Sequence, residues 1–224
     1  MSTINFEPVG SSFVADQAIV SRWSLPDLAE RAAGCALLAL AAPAIAVSAA
    51  AVSMLSGRSP LVAHLRVGRH GKPFWTLKLR TMWKGREHDS ASPRWIEYVI
   101  AEPAEDDKDR CDPRITSRFA AFCRRHSIDE LPQLWHVARG HMALVGPRPL
   151  TRSELARHYG PNAAELLSVK PGITGLWQVY GRSAIRFPQR SAIDLQMVRS
   201  LNLRMYLRIL LRTLPAIVFG RGAW

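Results

Sequence analysis

From Ala32 to Gly57 the chain carries no charged residue, and Ala, Leu, Val and Ile fill most positions. A run of that length exceeds the ~20 residues that take a helix across a bilayer. A polar stretch of about thirty residues precedes it, which argues against a cleaved leader. Alanine keeps the run only moderately hydrophobic, so a buried helix of a soluble domain is the competing reading; the length favours membrane contact. Pro43 lies near the middle, removes one backbone hydrogen bond and favours a kink. Arg22 and Arg31 flank the run on one side, and Arg58, Arg66, Arg69 and Lys72 on the other. Positive flanks stay on the cytoplasmic side, so a bent helix that enters and leaves by one face satisfies both ends. A straight span with the N-terminus outside is the alternative.

Past this run the periodicity changes. Phe74-Trp75-Thr76-Leu77-Lys78-Leu79-Arg80-Thr81-Met82 alternates apolar and polar positions and predicts a strand, entered by a Gly71-Lys72-Pro73 turn. Residues 84–113 are rich in charge, with Glu102, Glu105, Asp106, Asp107, Lys108 and Asp109 among them, and read as an excursive loop. Ile115 to Arg125 sets Ile115, Phe119, Phe122 and Cys123 on one helical face. Leu131 to Ala138 predicts a second short helix with Pro132 in its first turn. Asp129 and Glu130 then stand at its start, where carboxylates are favoured. Near the C-terminus Arg204, Arg208 and Arg212 recur every four residues, with Leu207, Leu210, Leu211 and Leu214 between them. Such a basic amphipathic helix suits the headgroup region of a membrane; packing its leucines on a core is the other reading.

Composition narrows the partners. The net charge is +12 and the pI about 10.6, which calls for an anionic partner. No nucleic-acid module accompanies the charge and the aromatics form no stacking array, so nucleic acid is set aside. Cys35, Cys111 and Cys123 are odd in number and lack paired or metal-type spacing, which fits reduced thiols. His136 and His141 lack further ligands at suitable spacing and read as structural.

The chemistry concentrates in Arg124-Arg125-His126-Ser127-Ile128-Asp129-Glu130-Leu131-Pro132-Gln133. Adjacent carboxylates beside a basic cluster can hold a divalent metal and a phosphate together. They stand in an ordered series: Asp112-Pro113-Arg114-Ile115-Thr116, then the dyad segment, then Leu144-Val145-Gly146-Pro147-Arg148-Pro149, then Lys170-Pro171-Gly172-Ile173-Thr174-Gly175-Leu176-Trp177-Gln178-Val179. With Arg66-Val67-Gly68-Arg69-His70-Gly71-Lys72-Pro73-Phe74 and Lys78-Leu79-Arg80-Thr81-Met82, these segments resemble the bacterial sugar transferases, the monotopic polyprenol-phosphate phosphoglycosyl transferases. The likeness runs from about Leu28 to the C-terminus and is to the minimal, short form.

That resemblance implies a mixed α/β, mainly helical fold. Residues 1–27 form a polar segment, 28–58 a re-entrant membrane helix broken at Pro43, and 59–224 a cytoplasmic catalytic domain with amphipathic interfacial helices. It implies transfer of a sugar 1-phosphate from a UDP-sugar to undecaprenyl phosphate with release of UMP, at the cytoplasmic face of the bacterial inner membrane. Asp129 is the implied nucleophile, forming a covalent phosphosugar intermediate, and Glu130 its partner in Mg2+ binding or positioning. Arg124 and Arg148 match motif arginines near phosphate; Lys78, Arg80 and Arg182 are further candidates for phosphate or nucleotide contacts. The chain departs from the family at His141, His136, Ala42, Leu201 and Tyr206, and an Asp that the family carries near the start of the apolar helix has no counterpart in this reading. A non-catalytic membrane scaffold is the alternative function. A homodimer is compatible with the pattern, but no residue argues for it.

Overall fold

The computed structural model describes residues 24–83, 95–100, 115, 117–181 and 185–220. The architecture is mixed α/β and mainly helical, as expected. Its first element, α1 (Asp27–Ser56), starts after Pro26 and carries Asp27 and Glu30 in its first turn, where their charge complements the helix dipole. It runs unbroken through Pro43, against the break expected there, and stops at Gly57, which is left-handed (φ 69°) and donates its N–H to the Ser53 carbonyl at 2.9 Å. A carboxylate is therefore present at the start of the apolar helix, against the sequence reading. Asp27 pairs with Lys170 at 2.7 Å, and Glu30 is buried.

One face of α1 meets the rest of the protein from end to end. Glu30, Gly34, Ser48, Ala49, Val52 and Ser56 are buried along it. The opposite face is apolar and open, with Leu40 at 79%, Val47 at 69% and Met54 at 75% exposure. Only 17% of the most apolar window is buried, which is not the profile of a soluble core helix. Among the described residues this is the one helix long and apolar enough to cross a membrane.

Strand β1 (Leu61–Val67) pairs antiparallel with β2 (Pro73–Leu79) and parallel with the short β3 (Ile96–Val99). β2 agrees with the expected strand. β1 has only a weak alternation and escaped the sequence reading. β3 lies inside the segment read as loop, which is thereby corrected for residues 96–99: Ile-Glu-Tyr-Val gains an edge position beside β1 that local charge density conceals. Residues 84–94 and 101–114 lie outside the described part.

Helix α2 (Arg118–Arg125) begins three residues later than expected, because the Ser117 side chain accepts the Ala120 N–H at 2.9 Å and caps it. The predicted second helix is a 3-10 turn, Ile128–Gln133, followed by α3 (Leu134–Ala138). Beyond lie β4 (Ala143–Val145), α4 (Arg152–His158), α5 (Ala163–Leu166), β5 (Gly172–Thr174), α6 (Leu176–Tyr180), α7 (Gln189–Ser200) and α8 (Leu203–Val218). β4 and β5 form a separate parallel pair, where Gly146 and Gly172 meet so closely that a Cβ on Gly172 would lie 2.0 Å from the Gly146 nitrogen.

Two apolar clusters hold these pieces. One joins Leu155, Tyr159, Leu166, Leu195 and Val198 under α4, α5 and α7. The other joins Val137, Met142, Leu144, Met197, Tyr206 and Ile209, and α1 closes it with Ala33, Leu38 and Ala41. A Cβ on Gly34 would lie 2.8 Å from the Ala138 nitrogen, so glycine allows α1 and α3 to cross at near backbone contact. Glu30 fixes the register: its Oε1 accepts the Leu144 N–H at 3.0 Å and the Tyr206 hydroxyl at 2.9 Å.

Candidate active site

The dyad sits where α2 ends and the chain reverses. His126 closes α2, and Ser127 takes a left-handed conformation (φ 54°, ψ 25°), an uncommon choice for a residue with a Cβ. That turn aims Asp129 inward and Glu130 toward β2. Asp129 is buried at 8% exposure, in the first turn of the 3-10 segment. Glu130 accepts the Lys78 ammonium at 2.8 Å and lies 3.4 Å from an Arg148 guanidinium nitrogen, both through Oε1. One carboxylate is thus enclosed and the other engaged by cations from two distant segments.

Burial pushes the Asp129 carboxyl up to about 6; the Glu130 charge adds to this, while Lys78, Arg124 and Arg148 oppose it. Near neutral pH it is ionised, in surroundings that solvate it poorly. An anion so held, in the field of Lys78, Arg124 and Arg148, is suited to attack an electrophilic phosphorus.

The pairing register explains how β1 and β2 furnish the rest. Val62 faces Lys78, His64 faces Thr76, and Arg66 faces Phe74, so His64, Arg66, Lys78 and, one step on, Arg80 share one face of the sheet. His64 is held down to about 4 by burial and then by the charges of Arg66, Lys78, Arg80 and Arg148, which makes it neutral. His64 is absent from the sequence reading, and Arg66 enters it only as a flanking charge and a motif residue, not as a site candidate. Their signal was the two-residue spacing within β1, which acquires meaning only once its partner strand is known.

The sequence-derived candidates fall in different places. Asp129, Glu130, Lys78 and Arg148 come together, and Arg124 from α2 is close enough to act on Asp129. Arg80 is buried and committed elsewhere: Nε donates to the Ser59 carbonyl at 2.8 Å and Nη2 to Glu97. It contributes field rather than a free fork. Arg182 lies outside the described residues. His136 is structural, as read: it is buried, and its Nε2 accepts the Leu77 N–H at 3.1 Å, docking β2 on α3. A second buried carboxyl, unremarked in the sequence, is Asp194 in α7. It accepts the Tyr159 hydroxyl at 2.8 Å, and burial pushes it up to about 7.

Comparison with known proteins bears on this geometry. The family model described as bacterial sugar transferase matches residues 22–220. The UDP-galactose-lipid carrier transferase of Erwinia amylovora is 40% identical over 189 residues, covering 84% of this chain and 39% of that protein. The exopolysaccharide production protein ExoY of Rhizobium meliloti is 39% identical over 194 residues, covering 86% of this chain and 84% of the relative. The undecaprenyl-phosphate galactose phosphotransferase of Salmonella typhimurium is 38% identical over 169 residues, covering 75% of this chain and 35% of that protein. The chain thus spans well under half of two of these relatives and most of the third.

Proposed function

The chain belongs to the bacterial sugar transferase family, and from that premise we propose that it moves a sugar 1-phosphate from a UDP-sugar onto undecaprenyl phosphate and releases UMP. The relatives' names supply the substrate classes. The observation that carries the reading is the enclosed Asp129 beside Glu130, Lys78 and Arg148. Asp129 attacks the phosphorus that bears the sugar; an Asp129 oxygen–phosphorus bond forms, and the bond to the UMP oxygen breaks. Undecaprenyl phosphate then attacks the same phosphorus, and the Asp129 carboxylate returns. Dividing one displacement between anions into two lowers each barrier.

Lys78, Arg124 and Arg148 hold the phosphoryl oxygens, and their fixed charge offsets the repulsion between carboxylate and diphosphate. Glu130, tied to Lys78 and Arg148, orients both cations. The donor set fits Mg2+: Asp129 and Glu130 stand side by side in the first turn of the 3-10 segment, and Mg2+ takes one or two carboxylates with phosphate oxygens and water. Asp129 and Glu130 would hold it, and when bound it supplies Lewis-acid polarisation of the phosphoryl group.

The membrane readings belong to the same proposal. A helix that crosses a bilayer carries one end about 30 Å from the other side's domain. In α1 both ends pack on one domain, Glu30 against β4 and α8 and Val52 against Trp83 and Ala120. This favours a re-entrant helix, with both flanks and the catalytic domain on the cytoplasmic face. Exposed Leu207, Leu211 and Leu214 beside Arg204, Arg208 and Arg212 make α8 an interfacial helix.

Two measurements test this. Purified protein with Mg2+ and a panel of UDP-sugars should release UMP and gain the mass of one sugar phosphate, mapped to Asp129. Absence of UMP with every sugar, in folded protein supplied with lipid acceptor, overturns the activity; turnover by Asp129→Asn overturns the nucleophile. Cysteines placed at Ser24 and Ser59 should both react with an impermeant thiol reagent from the cytoplasmic side alone. Opposite-side labelling establishes a span.

A further inference from the structure

The turn that aims the dyad is held from outside by a contact that the proposed reaction does not use. His126 closes α2, and Ser127 follows in its left-handed conformation (φ 54°). A residue with a Cβ adopts that conformation at a cost of the same order as one hydrogen bond supplies. A contact that fastens the turn therefore bears on how Asp129 is aimed. Within the turn the Ser127 N–H reaches the Arg124 carbonyl and the Glu130 N–H the Ser127 carbonyl, each at 3.2 Å, the long end of the usual range. A shorter bond comes from far along the chain: His126 Nδ1 donates to the Ile217 carbonyl at 2.8 Å, across 91 positions. A carbonyl only accepts, so Nδ1 carries the hydrogen. Ile217 stands in the last turn of α8, where carbonyls lack partners within the helix and the dipole is negative. Phe122 packs against the same imidazole, with ring centroids 4.6 Å apart. Gly220, buried and left-handed (φ 58°), lies against the Arg125 side chain, where a Cβ would come within 2.5 Å of Cγ. The end of α8 is thus docked on two successive residues, Arg125 and His126, immediately ahead of the dyad turn.

The other side of α8 faces outward. Tyr206 and Ile209 are buried, and Thr213 Oγ1 lies 2.9 Å from Thr174 Oγ1 in β5, so the inner face is fixed to the body of the protein. Leu207, Leu211, Leu214, Val218 and Phe219 are exposed, as are Arg204, Arg208 and Arg212. Such a surface suits anionic headgroups. Val218 and Phe219 adjoin Ile217, so the exposed apolar surface runs up to the carbonyl that His126 holds. We infer that His126 is a positioning residue for the nucleophile: through Ile217 it fastens the Asp129 turn to α8, so that seating of α8 on an anionic lipid surface steadies the aim of the carboxylate. This rests on the covalent reading above and on the interfacial placement of α8. His126 itself touches no reacting atom and acts through the turn.

The test uses the full chain with Mg2+ in nanodiscs of either phosphatidylcholine or phosphatidylglycerol. Hydrogen exchange reads the turn without turnover. His126→Phe keeps a ring against Phe122 and removes the donor; exchange across residues 127–130 should quicken about fivefold to tenfold, with α3 unchanged. His126→Asn, whose amide nitrogen takes the place of Nδ1, should restore the wild-type rate. In the wild type phosphatidylglycerol should slow exchange at the turn relative to phosphatidylcholine, and in His126→Phe the two lipids should not differ. Chemistry is read as formation of the Asp129 adduct with the UDP-sugar that labels the wild type. His126→Phe should lower the saturated rate about fivefold to tenfold and leave the half-saturating UDP-sugar concentration unchanged. Unaltered exchange at the turn in His126→Phe overturns the fastening, and an equal lipid response in wild type and His126→Phe overturns the link to α8. A loss that spreads into α3 and that His126→Asn does not recover marks mere packing and overturns the positioning role. A wild type that forms no adduct with any sugar overturns the covalent reading, while exchange still decides the hold on the turn.

Discussion

At Asp129 a single carboxyl couples chemistry to stability. Burial moves it from an ordinary 3.8 to about 6, so between those values the folded state binds more protons than the unfolded chain. Its ionisation therefore costs stability, fully so above pH 6. Asp129→Asn should melt higher than the wild type at pH 7.5 in metal-free buffer, by about 1–3 kcal/mol, with the gap closing toward pH 4. With Asp129 as the proposed nucleophile, kcat/KM should fall about tenfold per pH unit below pH 6. A flat profile from pH 5 to 8 would show that the nucleophile is not this group. The dyad and its cations Lys78 and Arg148 were legible in the sequence because short motifs carry them. The place of Arg66 and His64 was not, although Arg66 opens a quoted motif, since their common face exists only through the β1–β2 register, and Arg80 was misleading because its Glu97 partner sits in an edge strand hidden by neighbouring charge.

Among the elements, α1 shows how far periodicity reaches. Its existence, length and termination near Gly57 follow from the absence of charge between Ala32 and Gly57. Its partners do not, because the contacts of Gly34 with Ala138 and of Glu30 with Tyr206 join residues far apart in the chain. Gly34→Val should force α1 away from α3, since even a Cβ meets the Ala138 backbone at 2.8 Å. The expected cost is about 1–3 kcal/mol, seen as a lower melting temperature and faster proteolysis after Ser56. Unchanged stability would mean that α1 packs differently. The 3-10 turn was read as the start of a helix because Pro132 suits a first helical turn. In the structure the tighter turn spends those residues on aiming two carboxylates in different directions.

Taken whole, the molecule presents its apolar outer faces without burying them. Leu40, Val47 and Met54 of α1 and Leu207, Leu211 and Leu214 of α8 are exposed, whereas Asp129 is buried and Lys78, Glu130 and Arg148 are half-buried around it. Replacing the three α8 leucines with serine should lower partition onto anionic vesicles about tenfold or more without changing the melting temperature in detergent. Loss of folding instead would place those leucines in a core. The Glu30–Tyr206 hydrogen bond has a further meaning for biosynthesis. It spans 176 positions, from the first turn of α1 to the first turns of α8. During translation α1 leaves the ribosome first, and its Glu30 meets one partner when the Leu144 N–H follows and the second only when Tyr206 does. Helix α8 thus completes the seal on α1, and a ribosome that stalls before α8 leaves an open nascent chain with its apolar helix uncovered for quality control to clear.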